Sequence, residues 1–134
     1  MSIPVVENPA FPAVRRRYSA SNHAPKFARL FVRSQLGTWR LRHMADAVET
    51  VTSELVTNAV RHGGGPAVDV RLEKTPTSVV VAVSDANPAS PELGNCDPLA
   101  ENGRGLLIVR ALSARTGCTA NDSGGKTVWS EVMR

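Results

Sequence analysis

Three small sets of residues have types and spacings that could do chemistry. Glu54 and Asn58 are four apart, so on a helix they project from one face, a turn from each other. At about 100° per residue they fall on the margin of an apolar stripe of Val48, Val51 and Leu55. There a carboxylate and an amide would look out from the core into a cleft. An asparagine can lend a metal ion its amide oxygen, and a glutamate can take a proton from an attacking hydroxyl or water. A solvent-facing pair is the plainer alternative. Gly103-Arg104-Gly105 opens the apolar run Leu106-Leu-Ile-Val109; glycine allows close approach of backbone to a ligand, and a helix start offers unpaired N–H groups to an anion. Asp85 stands just past a valine run, placed to accept a hydrogen bond from an exocyclic amine or, with the following Ala-Asn-Pro, simply to make a turn.

The elements that must position these residues follow from periodicity. Met44 to His62 is the clearest helix, with Ala45, Val48, Val51, Thr52, Leu55, Val56 and Ala59 on one stripe, ended by Gly63-Gly-Gly-Pro66 as a left-handed cap followed by proline. An earlier helix is expected after Ser21 or Asn22, with Pro25 in its first turn. Phe27, Leu30, Phe31 and Gln35 or Leu36 form its apolar side, and it weakens at Gly37 and resumes to about Leu41. Ala67 to Glu73 alternates with period two, Thr75 to Ser78 turns, and Val79 to Val83 reads as a buried strand. Asp85 to Asn102 is a long loop, of a length that in a small domain is usually functional or disordered. A helix over Arg104 to Arg115, with Leu106, Leu107, Val109, Ala111 and Leu112 apolar, precedes a last hairpin of 117–120 and 127–132. With a short edge strand over Ala13 to Ser19, the order predicts an α+β fold with an antiparallel-rich sheet and helices segregated on one face.

The chain has 134 residues, 42% hydrophobic and 21% charged. That supports one domain with a real core and excludes wholesale disorder or a fibrous repeat. No apolar run approaches the roughly 20 residues of a membrane span, and the start lacks the blocks of a secretory signal, so a cytoplasmic protein is expected. Charge is uneven. Residues 1–44 hold eight basic residues against Glu7 alone, a balance of +7, and the rest hold eight against eleven acids, a balance of −3. A basic arm suggests an anionic partner. Only six aromatic residues are present and none interleaves with a basic run, which argues against nucleic acid. Cys96 and Cys118 are too few for a disulfide framework or a zinc site, and two reduced thiols are expected.

One apparent motif fails on context. Residues 120–127, Ala-Asn-Asp-Ser-Gly-Gly-Lys-Thr, satisfy a relaxed phosphate-loop pattern. That chemistry needs a helix immediately after the Lys-Thr pair, and Val128-Trp-Ser-Glu-Val132 alternates as a strand.

Taken in order, Glu54-Leu-Val-Thr-Asn58-Ala-Val-Arg-His62-Gly63, Val83-Ser-Asp85, Asn102-Gly-Arg-Gly-Leu-Leu-Ile-Val109 and Gly125-Lys-Thr127-Val-Trp resemble the GHKL ATP-binding superfamily, which includes gyrases, heat-shock chaperones, histidine kinases and mismatch-repair ATPases. The chain looks most similar to the small anti-sigma-factor serine/threonine kinases. The resemblance spans about residues 20–134, the expected histidine-kinase-like ATPase domain, with 1–19 as an N-terminal arm. It implies a two-layer α/β sandwich of the Bergerat type, with a mixed, mostly antiparallel sheet, helices on one face, and the Asp85–Asn102 loop as a lid. Asn58 would hold the Mg²⁺ that bridges the ATP phosphates, and Glu54 would be the general base toward a partner's serine. Asp85 would read the adenine amine, supported by the Thr127 hydroxyl. Gly103 and Gly105 would approach the phosphates, with Arg104 toward the terminal one. His62 takes no such role and reads as packing or a partner for the helix dipole. A sigma factor and its antagonist protein are the implied partners, with the basic first helix (Arg29, Arg33, Arg40) as a docking face, and the resemblance leaves room for a homodimer. One departure stands out. The family's Asp-x-Gly-x-Gly reads Asp85-Ala-Asn-Pro-Ala89 here, which favours, as an alternative, a binding module with weak or absent nucleotide. A basic nucleic-acid-binding domain rests on the N-terminal charge alone.

Overall fold

A computed structural model describes residues 11–85, 104–122 and 124–134, without the side chains of Arg104 and Leu106. Residues 1–10 of the arm and residues 86–103 of the expected lid, Gly103 included, lie outside the described residues. The elements run β1 (Ala13–Ser19), α1 (Ala24–Thr38), a 3₁₀ turn (Arg42–Met44), α2 (Ala45–His62), β2 (Ala67–Lys74), β3 (Ser78–Asp85), α3 (Arg104–Leu112), β4 (Arg115–Ala120) and β5 (Lys126–Met133). The five strands form one sheet in the order β1-β2-β3-β5-β4. Every described pairing is antiparallel, where a mixed sheet had been allowed for. The product is the expected α+β two-layer sandwich.

Alternation builds the core. Val68, Val70 and Leu72 of β2, Val79, Val81 and Val83 of β3 and Val132 of β5 point to one face and are buried against Val48, Val51, Leu55 and Val56 of α2. Each such side chain contributes about 1.5–3 kcal/mol on burial. On the opposite face Val80, Ala82 and Trp129 make a second, smaller cluster. The same face carries the buried pair Arg71–Glu73, 3.6 Å apart, and the edge strand is tied on by Arg17, whose Nε and Nη2 donate to Asp69 at 2.8 and 2.9 Å. No described helix is long and apolar enough to cross a membrane.

Two local expectations are corrected. First, α1 buries Ala24, Ala28, Val32 and Leu36; of the expected apolar side Leu36 is buried and Phe31 partly so, but Phe27 and Leu30 are 50% and 57% exposed. Small residues every fourth position let α1 lie close against α2, and close-packed contact outweighs the larger apolar area on the other side. Its end lies beyond Gly37, at a left-handed Arg40 (φ 60°), with the Leu41 N–H donating to the Leu36 carbonyl at 2.8 Å in the manner of a Schellman cap. The cap of α2 falls in the expected glycine run, with Gly63 in helical geometry and Gly64 (φ 74°) as the left-handed residue. Second, α3 stops at Leu112 and, among its described side chains, buries only Val109 in the core, leaving Leu107, Ile108 and Leu112 exposed.

Cys118 on β4 is in a disulfide, against the expectation of reduced thiols. A count too low for a framework does not exclude a single bridge. Cys96, the other cysteine of the chain, lies outside the described residues.

Glu131 joins the β4–β5 hairpin to the β2–β3 turn, accepting from Ser78 Oγ at 2.7 Å and from Arg115 Nε at 2.8 Å. Burial pushes its carboxyl up, but these hydrogen bonds and the guanidinium charge prevail and hold it below the ordinary glutamate value of 4.5. A carboxyl depressed in the folded state stabilises above that value, and the stabilisation is lost as pH falls through the lowered one. Urea titrations from neutral pH to below 4.5 should therefore show a shallower loss of stability for Glu131→Gln than for the parent chain.

Candidate functional site

The residues singled out by chemistry lie along the C-terminal half of α2. Glu54 and Asn58 are half-buried on that helix, one turn apart, beside Val51, Leu55 and Val56, which anchor it to the sheet. The start of α3 closes on one end of this stretch. Gly105 sits so near α2 that an added side-chain carbon would run into the Glu54 carboxylate. At the other end Gly63 meets Asp85, the last residue of β3, which is 5% exposed; a β-carbon on Gly63 would fall 2.7 Å from the Asp85 Cβ. Glu54 to Gly63 spans nine residues, about 13 Å at 1.5 Å per residue. A carboxylate and a glycine-lined helix start therefore lie at one end of a short track and a buried carboxylate at the other, with Asn58 between them. The Asn58 Nδ2 is buried and has no hydrogen-bond partner among the described residues.

This track is laid down by a sequence that matches a known profile. The profile of the histidine kinase-like ATPase domain covers residues 19–131, most of the chain. The chain belongs to that family. Comparison with curated proteins finds no match. A histidine kinase-like ATPase domain implies an ATP site, and the fold is the GHKL-type sandwich that the motif order had suggested.

Within the ATPase domain the strand register decides which groups surround Asp85. Ser84 pairs with Thr127, so Asp85 stands level with Lys126. The Lys126 backbone N–H donates to Asp85 Oδ1 at 3.3 Å. Burial lowers the Lys126 ammonium from its usual value, partly offset by the Asp85 charge. Thr127 points to the other face of the sheet; its hydroxyl donates to Asn121 Oδ1 at 2.8 Å and shares a 2.6 Å hydrogen bond with Ser84. The Lys126 amide thus reaches Asp85 from β5, while the Thr127 hydroxyl bonds Ser84 and Asn121. In the sequence Lys126 stands in the rejected phosphate loop and in the Gly125-Lys-Thr127-Val-Trp segment of the resemblance, with no role of its own. That rejection holds, because Lys126 opens a strand. The signal that would have found it is the two-residue alternation from Asp85 across the hairpin. Arg104 opens α3, and His62 is exposed in the last turn of α2.

Among the described residues no three His, Cys, Asp or Glu side chains cluster as a metal cage. The donor set fits Mg²⁺ in another way. A hard cation that keeps several waters and binds through phosphates needs little more from the protein than one oxygen, and the Asn58 amide, whose nitrogen is unpartnered, can offer one.

Gly63 suggests a direct test of the Asp85 end. Gly63→Ala should displace the Asp85 carboxylate and weaken adenine-nucleotide binding about tenfold or more in calorimetry. Gly37→Ala, whose added carbon would make only an ordinary 3.5 Å contact with Arg42 Nε, should leave it unchanged.

Proposed function

We propose that this ATPase domain binds ATP·Mg²⁺ and acts as an anti-sigma-factor-type serine/threonine protein kinase, passing the γ-phosphoryl group to a serine on a small antagonist protein. The observation that carries the reading is the alignment of Glu54 and Asn58 between Asp85 and Gly105 on one helix. Asp85, held by the Lys126 amide at the end of β3, accepts from the adenine amine. Asn58 holds the metal, which when bound neutralises phosphate charge. Glu54 takes the proton of the attacking serine hydroxyl as its oxygen forms a bond to the γ-phosphorus and the bond to the β–γ bridging oxygen breaks, releasing ADP. Such catalysis is positioning and charge neutralisation more than covalent chemistry. The partner class, a sigma factor and its antagonist, and a cytoplasmic setting are supported by the motif resemblance.

A second reading keeps the fold without turnover: a module that sequesters its partner with nucleotide weakly bound. Two observations favour it, the absence of both glycines after Asp85 and the contact of Glu54 with Gly105. Incubation with labelled ATP and candidate antagonist proteins separates the two, with Glu54→Ala as control. Transfer that is lost in Glu54→Ala supports the kinase. Heat on titration with ATP and Mg²⁺ without transfer supports the sequestering module, and absence of both heat and transfer removes the nucleotide reading.

A further inference from the structure

The outer face of α1 is an exposed apolar surface that adjoins a cavity. Phe27 and Leu30, at i and i+3, project from it half or more exposed. Further along the helix the side chains shrink to Ser34, Gly37 and Thr38, and there a groove of about 600 Å³ opens, bounded by Arg33, Arg42 and Ala45. Exposed apolar ridges rimmed by charge commonly mark protein contacts. Of the basic residues expected to dock a partner, two are already engaged: Arg29 donates to Ser53 Oγ at 2.9 Å, and Arg33 pairs with Glu49 at 2.7 Å and Asp46 at 3.7 Å. Lys26, Arg40 and Arg42 are exposed and form no ion pair with described residues. These three uncommitted cations and the apolar ridge define the face.

We infer that the α1 face, from Phe27 and Leu30 to the groove over Gly37, docks an acidic amphipathic helix of a partner protein. Apolar residues of the partner at i, i+3 and i+7 lie along the ridge, and one fills the groove where Gly37 leaves room. Its flanking carboxylates meet Lys26, Arg40 and Arg42. Charge selects this occupant over a second copy of the chain, which would bring cations against cations, because residues 1–44 carry +7. The Phe27–Leu30 ridge selects it over duplex nucleic acid, whose phosphate backbone gains nothing from an apolar ridge. The surface does not depend on the nucleotide reading, so each can fail without the other.

The test uses the full chain and a synthetic helical peptide with leucines at i, i+3 and i+7 and glutamates on both flanks, beside a counterpart with lysines for glutamates. Fluorescence anisotropy should show saturable binding of the acidic peptide and none of the basic one. Leu30→Asp and Arg42→Glu should each weaken binding by roughly tenfold or more, with unchanged circular dichroism. Arg42→Glu should in turn gain affinity for the basic peptide. The inference is overturned if the acidic peptide does not bind or binds the variants equally well. It is equally overturned if sedimentation shows a dimer that Leu30→Asp dissolves, or if duplex DNA competes for the face.

Discussion

Asn58→Ala should lower nucleotide-dependent phosphotransfer by about 10²–10³-fold, the scale for removing one preorganised group at a developing charge, while leaving the fold intact. The side chain is half-buried on the rim of α2, and its Nδ2 already lacks a partner among the described residues. Truncation therefore leaves no new unsatisfied group, and urea denaturation should give a stability within about 1 kcal/mol of the parent. A group kept buried and unpaired in the folded protein is costly unless something else engages it, which is why the loss falls on function. Asn58→Asp, which retains an oxygen donor, should retain more transfer than Asn58→Ala. Transfer by Asn58→Ala within a few-fold of the parent chain would take the metal away from this residue.

Asp85→Asn is expected to weaken ATP binding by roughly 10- to 100-fold, the equivalent of one hydrogen bond to a charged group. The Lys126 amide occupies Oδ1 at 3.3 Å, so the substituted amide keeps its oxygen there and turns its NH₂ toward the adenine amine, placing donor against donor. The informative readout is selectivity. Calorimetry with ATP and GTP should show the preference for adenine shrinking, because a ring carbonyl in place of the amine would now meet a donor. A uniform loss for both nucleotides would mean that Asp85 supports the pocket wall without reading the base.

The parts of the fold legible in the chain were those where one physical signal dominates. In α2 the stripe from Ala45 to Val56 is continuous, and all six of its buried residues lay on the expected face. Strand β2 was visible through its alternation and β3 through a short, continuous apolar run that is buried on both faces. In α1 two stripes overlap, a bulky one through Phe27 and Leu30 and a small one through Ala24, Ala28 and Val32. Hydrophobicity alone ranks the bulky one first, yet helix packing chose the small one. Helix α1 runs on through Gly37, as expected, to a cap closed by Leu41. Glycine is the usual left-handed residue, but here Arg40 adopts that geometry, held by the buried Leu41 that follows it.

The site divides in the same way. Glu54 and Asn58 are neighbours by helical spacing whatever the rest of the chain does, and the strand after Lys126 excludes a phosphate loop on local grounds; both are properties of a few adjacent residues. Which residues close on that pair is a matter of long-range contact. The approach of Gly105 to Glu54, of Gly63 to Asp85, and the pairing that sets Lys126 rather than Thr127 beside Asp85 all join segments tens of residues apart. Local propensity acts over a turn or a strand pair, whereas register and close approach are settled only when the whole core packs at once.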